Sequence, residues 1–312
     1  MRYTPLGKTG MNVSQLSFGA SSLGGVFREV NLHKAIEAVH TALEMGINYI
    51  DVAPAYGGTK AETVLGMALN GVPRQSYYIS TKVGKYTAID AYGLDTFDYS
   101  EEGIRRSVDA SAQRIGVDYF DIVHLHDIEY NNRQHTEWAL SEGLQTLLML
   151  KQEGRIGAVG VGMYPVDLWE RVIREGIIDA GLSHNIYCLN DTRLENLLPL
   201  ASEKGIGMIS ASPFSSGLLT SRGAPDWHPA TPEHRLFFDS AAAYCNSAGT
   251  SIEKLAIQFS TRNTNIATTM FSSADPESVR RNLSWTQEPI DENILKHVQE
   301  ILAPISNLNW QY

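Results

Sequence analysis

The chain has 312 residues, 43% of them hydrophobic, two cysteines and a formal net charge of -10. That is enough for a full core in one α/β barrel or two smaller domains, and the acidic balance with scattered basic residues argues against a nucleic-acid partner. Cys188 and Cys245 sit in unrelated contexts, no run is long enough to span a bilayer, and Met1–Lys8 lacks an apolar signal core, so a cytoplasmic protein without a membrane partner is expected.

Residues 2–15 read as a hairpin turning at Gly7-Lys8-Thr9-Gly10, suited to plug a barrel. Leu16–Gly19 is the first buried strand, with Ala20–Gly25 the loop after it. Asn31 caps a helix with Leu32, Ile36, Val39 and Leu43 on one face, ended by Gly46. A strand over Tyr49–Asp51 follows, then a helix over Ala61–Asn70 and a strand over Tyr78–Thr81. Ser100 starts a helix with Ile104, Val108 and Ile115 inward and Gly116 as its stop. Tyr119–Leu125 is the fourth strand, and Leu140, Leu144, Leu147 and Leu148 line the next helix. Strand Ile156–Gly160 precedes a helix over Val166–Arg174, and strand Leu182–Ile186 precedes a helix carrying Leu194, Leu197, Leu198 and Ala201. After strand Gly207–Ser210 comes an irregular stretch, Ser212–Glu233, then helices over Phe238–Ser247 and Ser251–Thr261. Ile266–Met270 is the eighth strand, a helix starts at Pro276, Asp291–Ala303 is an extra helix, and Asn307–Tyr312 reads as a loose end.

Eight strand–helix units in strict alternation predict a single (β/α)8 TIM barrel over residues 1–312, with an N-terminal β-hairpin and extra C-terminal helices. A doubly wound dinucleotide fold is rejected, because no G-x-G-x-x-G follows an early strand. In such a barrel the chemistry sits at the C-terminal strand ends, where Asp51, Lys82 and His126 fall, with Tyr56 in a Pro/Gly-rich loop. An acid, a phenol, an amine and an imidazole suit hydride transfer to or from a carbonyl. Tyr56 is the expected acid/base, and Lys82 the ammonium expected to lower its pKa. Asp51 is the anchor of Lys82, and His126 the donor that orients the substrate oxygen. Singly, each residue also reads as a turn cap, a surface loop residue, a snorkelling lysine or a core histidine. His124 competes with His126 from deeper on the same strand face. No third ligand at usual spacing accompanies the two histidines, so no metal is expected.

These residues carry a resemblance. With Phe18-Gly19-Ala20, Asp51-x4-Tyr56-Gly57, Ser80-Thr81-Lys82, Asp121-x4-His126, Ser212–Leu219 and Asn282, the chain resembles the aldo-keto reductase superfamily over essentially its whole length. Tyr56–Thr59, His124–Glu129, Pro225–Glu233 and Asn307–Trp310 are similar to the L-galactose dehydrogenases and related bacterial aldose 1-dehydrogenases. The resemblance implies the catalytic set Asp51, Tyr56, Lys82 and His126. It implies a nicotinamide dinucleotide across the barrel mouth, its pyrophosphate on the loop carrying Ser212, Phe214, Ser216 and Leu218. Ser272, Ser273, Asp275, Ser278 and Asn282 would hold the adenosine end, and Gly19, Ala20 and His184 complete the implied cofactor set.

Members that prefer NADP carry basic residues where this chain has Ser272 and Ser278, with Asp275 between, so NAD is expected. Two departures concern the nicotinamide: the family's Ser-Asn pair reads Gly162-Met163, and its strand-six glutamine reads His184. The implied reaction is oxidation of an aldose at C1 to a lactone, with Asp127, Glu129, Trp227, His228 and Trp310 as candidate sugar contacts. The alternatives are an NADPH-dependent general aldehyde or ketone reductase and, in another class, a nicotinamide-binding regulatory subunit. A monomer or small homo-oligomer is expected.

Overall fold

The computed structural model describes residues 1–26, 29–87 and 95–310. Eight parallel strands close into one barrel in chain order: Leu16–Gly19, Tyr49–Asp51, Tyr78–Val83, Phe120–His126, Ile156–Met163, Ala180–His184, Gly207–Ala211 and Thr268–Ser272. The sixth strand starts and ends two residues before the expected span. It pairs with the fifth from Ala180 opposite Gly160, and Asn185 breaks it with φ 59°. The eighth runs two residues later than expected, because Ile266 is still turning, its N–H bonded to Asn263 O.

The hairpin strands Tyr3–Pro5 and Asn12–Ser14 pair antiparallel. Leu6, Met11 and Val13 pack on Tyr49, Ile122, Leu182 and Ile209 inside the barrel. The hairpin thus fills the end away from the functional mouth.

Helices cover the outside. Leu32–Glu44 buries Ala35, Ala38, Val39 and Ala42, while Leu32 is 47% exposed. Small side chains, not the expected leucine, let this helix lie close to its neighbours. Pro232–Ser247 begins six residues before the expected Phe238. Thr231 Oγ1 accepts from His234 N at 3.3 Å, and His234 Nδ1 accepts from Thr231 N at 3.2 Å. That reciprocal cap, with Pro at the first position, is a start signal that the irregular reading of Ser212–Glu233 passed over.

Two further differences shape the mouth. After the third strand, Lys85–Thr87 and Asp95–Phe97 form an antiparallel pair absent from the sequence reading. The tail is not loose: Asn307 N–H donates to Asn190 O at 2.9 Å and Trp310 N–H to Tyr164 Oη at 2.9 Å. Its last two residues lie outside the described ones. Among the described residues, no helix is long and apolar enough to cross a membrane.

Candidate active site

Strand register brings the expected chemical groups to one end of the barrel. Gly19 lies opposite Asp51, Asp51 opposite Ser80, Lys82 opposite His124, and His126 opposite Gly162. Successive strands therefore climb, and their inward side chains converge at the C-terminal ends.

Asp51 and Lys82 form a fully buried ion pair, Asp51 Oδ2 meeting Lys82 Nζ. Lys82 Nζ also donates to Val52 O at 3.1 Å. The second carboxylate oxygen accepts from Ser80 Oγ at 2.7 Å, and Tyr49 Oη lies 2.8 Å from the same hydroxyl. Buried charges persist only with such partners. Ser80 and Tyr49 were not among the expected site residues. The signal was the period-two alternation that points Tyr49 and Asp51 inward on one strand, and Ser80 and Lys82 on the next.

Lys82 Nζ lies 4.8 Å from the Tyr56 ring centroid. The Tyr56 and His126 rings meet edge to face at 5.8 Å. Burial would lower the Lys82 ammonium, but Asp51 and Tyr56 outweigh it and keep Lys82 charged. Burial lifts the Asp51 carboxyl above its ordinary value against the pull of Lys82. The phenol departs from expectation. Burial, helped by Asp51, outweighs Lys82 and raises Tyr56 above the ordinary phenol value. Burial pushes His126 down to about 3 against the pull of Asp127, so its ring is neutral. Tyr99 Oη donates to His126 O at 2.7 Å and fixes that strand end.

His124 lies deeper, fully buried beneath this group, and both its ring nitrogens lack partners. Gly160 makes room for it: a Cβ there would come within 2.2 Å of His124 Nδ1. Of the two histidines, His126 is the one beside Tyr56.

The rest of the expected set lies on the opposite arc. Ser272 pairs with Gly19 and His184 with Ala211. Ala20 N–H donates to Asp51 O at 2.8 Å, which ties the two arcs together. The loop after the seventh strand is bent by left-handed residues, Ser212 (φ 64°), Ser215 (φ 49°), Ser216 (φ 51°) and Gly217 (φ 102°). Such local strain collects at binding sites, and successive N–H groups in this conformation make an anion-binding concavity. Asn185 Nδ2 donates to Ser216 Oγ at 2.8 Å and steadies the loop. Ser215 Oγ is buried beside the Cys188 thiol, so the loop offers a phosphate its backbone N–H groups and not this hydroxyl. These residues fit a dinucleotide. Phe214 is partly buried and Leu218 buried beneath the loop.

Where the adenosine end is expected, Asp275 caps the helix Pro276–Trp285, accepting from Ser278 N at 3.1 Å and Ser278 Oγ at 2.8 Å. Ser272 Oγ bonds Ser22 Oγ at 2.8 Å, Ser273 Oγ bonds Asp275 O at 3.2 Å, and Asn282 is buried on the same helix. Arg280 is held by Glu277 and Glu37, whereas Arg281 reaches Ser278 Oγ at 3.1 Å.

Beside His126, Asp127 (φ 47°) binds Lys85 Nζ at 2.8 Å and lies 3.7 Å from His126 Nε2. Burial would raise the Asp127 carboxyl, but the neighbouring imidazoles and Lys85 hold it below its ordinary range. Burial, then the nearby Asp127, lifts Glu129 to about 8. Glu129 Oε1 accepts Tyr164 N–H at 2.8 Å. Tyr164 lies 5.5 Å from the His184 ring, and His228 meets Trp310 at 5.2 Å. Asp127, His184, Tyr164, Trp310 and His228 therefore form one continuous wall. Trp227, 55% exposed, stands outside it. Lys85 and Tyr164 were absent from the sequence reading: one rides on the missed hairpin, and the other sits between the fifth strand and the helix Val166–Glu175. Among the described residues, Asp127, Glu129 and His184 bring donor atoms within 4.8 Å of one another, a group that spacing along the chain did not reveal.

The aldo/keto reductase family model matches residues 15–303. L-galactose dehydrogenase of Arabidopsis thaliana is 40% identical over 314 residues, covering 98% of this chain and 95% of the relative. D-threo-aldose 1-dehydrogenase of a Pseudomonas species is 27% identical and covers 93% and 94%. The solved holo structure of an aldo-keto reductase from Bacillus halodurans superposes with a TM-score of 0.79 at 25% identity, covering 96% of both chains. The family match spans nearly the whole barrel, so this chain belongs to the aldo/keto reductase family, nicotinamide-dependent oxidoreductases acting on CH–OH and aldehyde groups.

Proposed function

We propose that the chain oxidises an L-galactose-like aldose at C1 to its lactone, with NAD as cofactor. The observation that carries this reading is the carboxylate wall of Asp127 and Glu129 beside His126, suited to the many hydroxyls of a sugar. The 40% identity to a plant L-galactose dehydrogenase supports the substrate class.

Tyr56 Oη takes the proton from the C1 hydroxyl. Lys82, held by Asp51, stabilises the phenolate that accepts this proton. Neutral His126 orients the C1 oxygen. A bound nicotinamide supplies the hydride-accepting carbon. Ser212–Leu218 would hold the pyrophosphate through backbone N–H groups, and Ser272, Ser273 and Asn282 would line the adenosine end. Met163 is fully buried and Gly162 has no side chain, so His184 and Asn185 are the polar groups left to face the carboxamide. His228 and Trp310 would close the sugar pocket. The negative Asp275, with Arg280 committed to Glu277 and Glu37, favours NAD over NADP. Buried, unpaired Cys188 and Cys245 support a reducing compartment such as the cytoplasm.

One observation favours a second reading, NADPH-driven aldehyde reduction: Arg281 leans on Ser278, where it could meet a 2′-phosphate. The test is absorbance at the reduced-nicotinamide band, with NAD or NADP, against L-galactose, L-fucose, L-gulose, D-arabinose and simple aldehydes. NAD reduction with one of the sugars supports the proposal. Activity only as NADPH-driven aldehyde reduction overturns it. Turnover abolished in Tyr56→Phe would set aside a purely regulatory role.

A further inference from the structure

We propose that Asp127, Glu129 and His184 form a binding site for a divalent transition-metal ion, with zinc as the best-matched ion, at the barrel mouth. Among the described residues these three alone bring carboxylate and imidazole donors within 4.8 Å of one another. The fold makes the meeting possible. Asp127 and Glu129 follow the fourth strand and His184 ends the sixth. The fifth strand lies between them, and there Gly162 offers no side chain, while its carbonyl accepts Asp127 N–H at 2.8 Å.

A second observation points to a ligand. Tyr164 N–H holds Glu129 Oε1 at 2.8 Å, while Oε2 is buried without a hydrogen-bond partner. A buried carboxyl oxygen left so is costly, and a cation taking the place of a proton satisfies it. The donor set is mixed: two hard oxygens and one borderline nitrogen. That composition suits zinc, whose sites often combine histidine with carboxylate and keep a fourth position open. Zinc–ligand bonds of about 2.1 Å set tetrahedral donors roughly 3.4 Å apart, so the side chains must close by at most about 1.4 Å. Rotation about the Glu129 and Asp127 side-chain bonds supplies that movement. Lys85, 2.8 Å from Asp127 Oδ2, opposes the ion by its charge.

Hydride transfer needs no such ion, so its effect is inhibitory. It occupies the wall proposed above for sugar hydroxyls, and this consequence alone rests on that proposal.

The experiment is calorimetric titration of zinc into metal-free protein. One site per chain is expected, weakened more than about tenfold in Glu129→Gln and in His184→Asn, and tightened several-fold in Lys85→Met. Zinc binding that is absent, or unchanged in both ligand variants, overturns the site. Rate measurements form the second arm. Inhibition competitive with sugar joins the site to the sugar pocket, and competition with NAD as well is expected, because His184 is the group proposed to face the carboxamide. Binding lost in the variants without any inhibition keeps the metal site and overturns the sugar placement.

Discussion

Along the second to fourth strands the charges come in pairs, Asp51 with Lys82 and Asp127 with Lys85. Along the sixth to eighth strands and their loops the polar groups are mostly hydroxyls, and the backbone around Ser212–Gly217 is bent into the left-handed region. The first arc fixes side chains by ion pairing and strand register. The second offers backbone N–H groups and small side chains that a large anionic ligand can approach. In the proposed function one arc moves a proton and the other grips a dinucleotide. The two should therefore fail differently when altered.

The largest effect is expected in the first arc. Tyr56→Phe removes the proposed proton acceptor and little packing, so kcat should fall roughly 100- to 10,000-fold with unchanged melting temperature. Lys82→Met should lose similar activity and also stability, by about 3–5 kcal/mol, because Asp51 is left buried and unpaired. Steady-state rates and thermal melts separate the two. Near-normal turnover in Tyr56→Phe would break the proposed division between the arcs.

The pH profile comes next. Burial holds the Tyr56 phenol above its ordinary value, so it stays protonated at neutral pH. The deprotonated form drives oxidation, and its fraction grows up to about tenfold per pH unit below the pKa. Oxidative kcat/KM should therefore climb across the range of about pH 6 to 9. A plateau there would mean that Lys82 outweighs burial and that the first arc tunes its phenol downward.

How much of each arc could be read in the sequence follows from the same contrast. Asp51, Lys82 and His126 were legible because each ends a short apolar run. Their partners were less so. Ser80 and Tyr49 look like ordinary strand residues until register sets Ser80 beside Asp51. Lys85 was missed with its hairpin, a pair of three-residue strands too short for period two to show. Glu129 follows the fourth strand and His184 ends the sixth, so only closure of the barrel brings them together. The loop after the seventh strand carried a family pattern, but its left-handed serines have no propensity signature. The tail misled for another reason: it is pinned by Asn190, Tyr164 and Arg193, all distant in sequence.

In the second arc a backbone change should act on affinity. Gly217 has φ 102°, and a Cβ there would stand 2.9 Å from Gly223 O. Gly217→Ala strains the loop by about 1–2 kcal/mol, so the dinucleotide dissociation constant should rise about tenfold. Fluorescence titration of the reduced cofactor reads this directly. A fall in kcat at saturating cofactor, with affinity intact, would mean that the loop serves the chemistry instead.

The smallest effect concerns the choice between NAD and NADP. Asp275 has two roles that one substitution can separate. Its carboxylate caps the helix through Ser278, and its charge faces the region where a 2′-phosphate would lie. Serine is as good a cap as aspartate, so Asp275→Ser keeps the helix start and removes the charge. A partly exposed charge interaction is worth up to about 1 kcal/mol, which is roughly fivefold in affinity. The ratio of kcat/KM with NADP to that with NAD should rise by two- to fivefold at low salt, and less at high salt. Arg281, already on Ser278 Oγ, is then a basic side chain beside the vacated position, and Arg281→Ala in the same background should return the ratio toward its starting value. If Asp275→Ser leaves the ratio unchanged while Arg281→Ala alone lowers it, the arginine governs the choice and the arc leans toward NADP.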